Sequence, residues 1–190
     1  WLAPGAAADT VPYASYTYAY SGDYQISPHA YVPAGSVADI EGAGFLKSPR
    51  DITADSRGRV AIADSGNNRI LVLDADYKLL KELTCYPSGD VSLNFSNPSG
   101  VFFDADDRLY VADTDNGNLV QFSSEYGFER IIPAPSAALL PDDFDYRPTS
   151  LAVDQLNRFY VISSGTNMGV ITFDTNGTFE GFIGAQKVQS

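Results

Sequence analysis

Apolar residues in this chain arrive in short runs divided by turn-forming residues, as in Val60-Ala61-Ile62, Ile70-Leu71-Val72-Leu73, Leu109-Tyr110-Val111 and Phe159-Tyr160-Val161. Short apolar runs bounded by Gly, Asn, Asp and Pro predict buried β-strands rather than helices. Other stretches mix charge into the pattern. Lys78-Leu79-Leu80-Lys81-Glu82-Leu83 and Thr178-Phe179-Glu180-Gly181-Phe182-Ile183 read as strands with one face in water.

Three segments of the chain superimpose, starting at Ser48, Asn97 and Arg147. Pro49, Pro98 and Pro148 open the units at intervals of 49 and 50 residues; Asp55, Asp104 and Asp154 follow, then Arg59, Arg108 and Arg158. Proline cannot donate to a ladder, so it marks the start of a first strand, Asp51 to Asp55 in the first unit. Gly58, Asp107 and Asn157 are residue types that tolerate positive φ and predict a tight turn into the second strand. A second turn, Ser65-Gly66-Asn67-Asn68 and its counterparts at 114–117 and 164–167, leads to a third strand: Ile70 to Leu73, Leu119 to Phe122, or Val170 to Phe173. The charged alternating run supplies the fourth. Apolar inner strands and a polar outer strand suit a blade covered by its neighbours but wet at its rim. The expectation is therefore an all-β fold, a β-propeller segment of about three four-stranded blades. A solenoid is the other repeat architecture weighed, but its units are usually shorter.

The order of proline, small apolar strand, Asp, Gly-Arg, strand ending Ala-Asp, then Gly-Asn-Asn-Arg-Ile resembles the NHL repeat, whose copies form propeller blades, often six. The first unit, with IADSGNNRILVLD, is most similar. The second keeps YVADTDNGNLVQF with Asn118 where the pattern prefers Arg, and the third has Ser163 for the Asp and Met168 where Arg69 stands. The resemblance covers about residues 45 to 185 and implies half of a six-bladed ring, further blades coming from a longer parent chain or another copy. It implies a binding or scaffolding role, with enzymes in the minority. The arrangement of leader and repeats also resembles NHL-containing exported proteins of Gram-positive gut bacteria, which implies a secreted or extracellular-surface location.

Residues before the repeats read differently. Ser15 to Tyr20 alternates strictly, which puts Tyr16, Tyr18 and Tyr20 on one strand face, and Ser21-Gly22-Asp23 turns the chain into Tyr24-Gln25-Ile26, so a hairpin is expected. Val37 to Ile40, beyond a Pro28–Pro33 loop, reads as the outer strand of a preceding partial blade. The opening WLAPGAAADT is similar to a signal-peptide cleavage region, or else is a flexible arm. The expected divisions are 1–12 for that remnant or arm, 13–44 for hairpin and partial blade, 45–96 for blade 1, 97–146 for blade 2 with a long connection, and 147–190 for blade 3.

Charge narrows the function. With 12 Lys and Arg against 24 Asp and Glu, the net charge of -12 repels a phosphate backbone, so nucleic acid is not an expected partner. No apolar run is long enough to span a bilayer. Cys85 is single and so is His29, so neither a disulfide, a paired-cysteine zinc site nor a multi-histidine metal centre can be assembled from this sequence alone. The repeated Asp55, Asp104 and Asp154 read as turn caps or partners of the repeated Arg, and Asp64 with Arg69 as a charge-assisted clamp on its loop. Asp142, Asp143 and Asp145 fall in the long connection and read as a solvated loop. The tyrosine stripe could stack on sugar rings, although a covering strand is the plainer reading.

What is left favours a non-enzymatic module for protein, peptide or glycan binding, with the loops after each second strand and the residues after each opening proline at one end. Arg50, Asn67, Arg69, Asn116, Arg147 and Asn167 are the expected contact residues, with Ser99 and Thr149 beside them. No cofactor is expected. The alternative is a calcium-dependent, lactonase-like hydrolase, in which Asp115 and Asn116 would supply oxygen ligands.

Overall fold

The computed structural model describes residues 16–26, 36–136, 140 and 144–184. The expected remnant at 1–12, His29, the Pro28–Pro33 loop, Asp142 and Asp143 lie outside them. The chain forms two units, 1–38 and 39–190.

In the first unit β1 (Tyr16–Tyr18) pairs antiparallel with β2 (Tyr24–Ile26), Tyr16 opposite Ile26. The hairpin is as expected, but the turn begins earlier: Ala19 accepts from the Gly22 N–H and donates to the Asp23 carbonyl, so Tyr20 sits in the turn rather than on the strand. Tyr16 and Tyr18 meet edge to face at 5.9 Å, and Tyr16 meets Tyr24 across the pair at 6.2 Å.

The second unit opens with β3 (Asp39–Ile40) and β4 (Gly44–Phe45), which pair with each other. This corrects the expected outer strand at Val37 to Ile40. Two residues are too few to add to a sheet, and Ile40 instead buries itself against Ile62, Leu71 and Leu73. Residues 39–44 fall in the second unit.

Three four-stranded antiparallel sheets follow, each in sequential order. Blade 1 is β5 (Asp51–Ala54), β6 (Val60–Asp64), β7 (Arg69–Leu73) and β8 (Leu79–Leu83). A hairpin that the sequence pattern did not predict, β9 (Cys85–Ser88) with β10 (Val91–Asn94), then leads out of it. Blade 2 is β11 (Pro98–Phe103), β12 (Leu109–Asp113), β13 (Asn118–Phe122) and β14 (Phe128–Ile132). Blade 3 is β15 (Pro148–Val153), β16 (Phe159–Ser163), β17 (Val170–Phe173) and β18 (Phe179–Ile183).

The turns form for the reasons the residues suggest. Gly58, Asp107 and Asn157 take φ of 76°, 60° and 58°. Asp55, Asp104 and Asp154 act both as caps and as ion-pair partners: Asp55 Oδ1 accepts from the Arg57 and Arg59 N–H groups, and Arg59 donates from Nε to Oδ2. The same two roles recur at Asp104 with Arg108 and at Asp154 with Arg158. As expected, in blades 1 and 2 the middle strands are buried and the fourth strands are more exposed.

Packing joins blade to blade. Ala61, Ala63, Ile70 and Val72 on the far face of blade 1 meet Val101, Phe103, Leu109 and Val111 on the near face of blade 2, with Tyr86 and Phe95 closing the seam. Tyr110, Ala112 and Leu119 meet Leu151, Val153, Phe159 and Val161 in the same way. Small residues opposite large ones let the sheets approach closely. Each fully buried large apolar side chain contributes about 1.5–3 kcal/mol.

Candidate functional site

Antiparallel pairing brings the start of each first strand beside the end of each second. Asp51 lies opposite Ala63, Pro98 opposite Asp113, and Pro148 opposite Ser163. The loops after the second strands and the residues around each opening proline therefore share one end of their blade, as the repeat predicted. Backbone bonds tie them together: Gly66 N–H donates to the Lys47 carbonyl, Asp115 N–H to Ser96, and Ser164 N–H to Arg147. A Cβ on Gly66 would lie 2.6 Å from the Lys47 carbonyl oxygen, so the approach requires glycine.

In blade 1 this corner is built on Asp64, which is fully buried. Its Oδ1 accepts from Lys47 N–H at 2.7 Å; its Oδ2 accepts from Arg69 Nε at 2.7 Å and Asn67 Nδ2 at 2.8 Å. Arg69 also donates to the Ala43 and Phe45 carbonyls and to Glu82. Cation and carboxylate neutralise each other where water is scarce, and the remaining guanidinium donors hold the β3–β4 hairpin.

Blade 2 solves the same problem without a cation. Asp113 Oδ1 accepts from Ser96 N–H at 2.8 Å, and Oδ2 from Asn116 Nδ2 and from Tyr86 Oη, each at 2.7 Å. Asn118, in the place of Arg69, reaches Tyr86 Oη at 3.3 Å. Burial raises the Asp113 carboxyl above its ordinary range, and the three donated hydrogen bonds offset only part of that. Tyr86, likewise raised mainly by burial, stays a phenol and a donor. In blade 3, Ser163 Oγ accepts from Arg147 N–H at 2.8 Å and no charge is buried.

The expected contact residues separate into two groups. Arg69 is buried in its ion pair, and Asn67 and Asn116 spend their amides on Asp64 with Phe45 and on Asp113 with Asn94. Ser99 is buried and Thr149 donates to the Ile162 carbonyl. Arg50, Arg147 and Asn167 are exposed. Arg147 reaches across the blade boundary to pair with Asp115. Of the two residues of the calcium alternative, Asp115 pairs through its carboxylate with Arg147, and Asn116 donates its side-chain N–H groups to the Asn94 carbonyl and to Asp113. Among the described residues no group of three or more His, Cys, Asp or Glu is placed to hold a metal ion. Tyr86 escaped the sequence reading: the retained Asp113 beside Asn118 signals a missing partner but does not say which residue supplies it.

Stacked four-stranded antiparallel blades with this corner repeated at one end define a β-propeller segment. Residues 46–73 and 95–122 match the NHL repeat family. None of the curated protein sequences matches. Among solved structures the chain is similar to a streptogramin B lyase, at 14% identity and TM-score 0.53 over 88% of this chain and 46% of that one. It is similar too to a catalytically inactive virginiamycin B lyase from Staphylococcus aureus solved with quinupristin, at 16% identity and TM-score 0.55 over 89% and 55%. A third is the hydrazine synthase of Kuenenia stuttgartiensis, at 16% identity and TM-score 0.56 over 82% and 40%. The chain spans about half the length of these proteins, and at such identities the likeness is one of fold.

Proposed function

We propose that this chain is a non-enzymatic NHL-type β-propeller module, exported or surface-exposed, that binds a protein, peptide or carbohydrate at the loop end of its blades. One observation carries the reading: the buried polar groups at that end are consumed in holding loops. Asp64, Arg69, Asn67, Asp113 and Asn116 fix the corners, and the exposed Arg50, Arg147 and Asn167 stand on that rigid frame. A frame of this kind lowers the ordering cost of binding.

Screening the chain against peptide and glycan arrays, followed by titration of the best ligand, tests the reading. The combined variant Arg50→Ala, Arg147→Ala, Asn167→Ala is expected to weaken binding by about tenfold or more, with an unchanged far-UV spectrum. Undiminished binding by that variant would remove the loop end as the site. Millimolar calcium is expected to leave the melting temperature unchanged; a rise abolished by Asp115→Ala would instead support the hydrolase alternative. N-terminal sequencing of the native protein tests the exported location.

A further inference from the structure

Strand alternation puts Tyr16 and Tyr18 on one face of the β1–β2 hairpin, and the pairing of Tyr18 with Tyr24 brings a third ring to the same face. The planes of Tyr16 and Tyr18 stand at 89° and those of Tyr16 and Tyr24 at 70°. Their faces therefore turn in different directions instead of forming one flat platform. Together the three rings line a concavity of about 280 Å³. Tyr16, Tyr18 and Tyr24 are 59%, 69% and 74% exposed, so the concavity opens to water.

Charge decides what such a concavity takes. The face of an aromatic ring is its negative side, and a cation held beside several faces is attracted to each. The blades fill this role from their own sequence: Arg59 lies over Tyr126 at 4.9 Å, Arg130 over Phe159 at 5.5 Å and Arg158 over Tyr160 at 6.0 Å. Among the described residues the three hairpin rings have no such neighbour, and no Lys or Arg precedes Lys47 in the chain. Asp23 is the one charged residue among the described residues of this unit, and it adds negative potential. A sugar ring would lie flat on a single face, an arrangement that rings set near right angles do not extend.

We propose that Tyr16, Tyr18 and Tyr24 form a cage for a quaternary ammonium group, the trimethylammonium end of a choline-type molecule. Such a group spreads its charge over methyl surfaces that fit against ring faces, whereas a primary ammonium is compact and strongly hydrated and loses more water on entering. The concavity is smaller than the roughly 300–1,000 Å³ of sites that enclose a whole drug-sized ligand, which suits a headgroup. This site lies outside the blades and does not rest on the loop-end binding proposed above.

Titration of the full chain with choline chloride, followed by the upfield shift of the choline N-methyl proton signal, is expected to show saturable binding. The neutral carbon isostere dimethylbutanol is expected to bind about fivefold more weakly. Tyr18→Val and Tyr24→Val remove a ring while keeping strand propensity, and each is expected to weaken choline binding about two- to fivefold. Tyr20→Val, in the turn, is expected to leave it unchanged. Absence of a choline shift would overturn the proposal, and so would undiminished binding by both strand variants. Equal binding of choline and its isostere would overturn it without recourse to any variant, by showing an apolar surface indifferent to charge. Once choline binds, co-sedimentation with phosphatidylcholine but not phosphatidylglycerol vesicles assigns the headgroup to a lipid, and co-sedimentation with neither assigns it to a soluble molecule.

Discussion

The loop corners of blades 1 and 2 hold the same buried carboxylate at the same place, yet they balance it by different means. Asp64 is paired with Arg69, five residues on across the Ser65–Asn68 turn. Asp113 has no cation and relies on Tyr86, which comes from the hairpin between the blades. Both accept the backbone N–H that opens their own blade. What the repeat preserves is thus an acceptor for that N–H, and blade 3 keeps it with the hydroxyl of Ser163. Charge compensation is a separate matter, settled blade by blade.

Breaking the cation pair should have the largest effect. Asp64→Ala strands Arg69, nearly buried and cut from its main partner, and is expected to cost about 3–5 kcal/mol in denaturant unfolding. A loss no greater than that of Asp113→Asn would show that the two corners do not differ as described. Next comes Tyr86→Phe, which removes one donor to a buried carboxylate and is expected to cost about 1.5–3 kcal/mol. An equally large effect from Tyr77→Phe, exposed in blade 1, would undo the assignment.

Asp113→Asn sharpens the comparison through pH. Because burial raises the Asp113 carboxyl, the folded chain holds that proton more tightly than the unfolded chain does. The side chain's favourable contribution is full below the ordinary carboxylate range and is lost as pH rises through its folded value. The variant is therefore expected to be more destabilised near pH 3 than at pH 7. Asp154, on a turn at the opposite end of its blade, has the reverse sign. Hydrogen bonds from the Arg158 backbone and side chain, Tyr160 and the Leu156 backbone lower it to about 2, against some desolvation. Its contribution is full above the ordinary range and lost as pH falls through about 2, so Asp154→Asn should matter most at neutral pH. Carboxyl NMR titration checks both directions, and a normal midpoint for Asp154 would refute the second.

Much of this was legible from residue order. The Pro, Asp and Arg landmarks placed the strands, and Gly58, Asp107 and Asn157 marked the turns that do adopt positive φ. The Asp64–Arg69 clamp was readable because five residues across one turn leave little choice of partner. Tyr86 was not, since it meets Asp113 from 27 positions away through a hairpin whose Cys85-Tyr86-Pro87-Ser88 strand contains a proline and no apolar alternation. Among the expected contact residues, Asn67 and Asn116 lie in the loops after the second strands, and sequence could not show that their amides are engaged there.

By itself, then, the sequence determined the repeat, its strand order, its turns and the position of a buried acceptor at every blade opening, because those depend on residues close in the chain. Tertiary structure decided which polar groups are spent and which are free, and that Tyr86 replaces an arginine. Those outcomes depend on which blade lies against which, and contacts between residues far apart in sequence leave no local pattern to read.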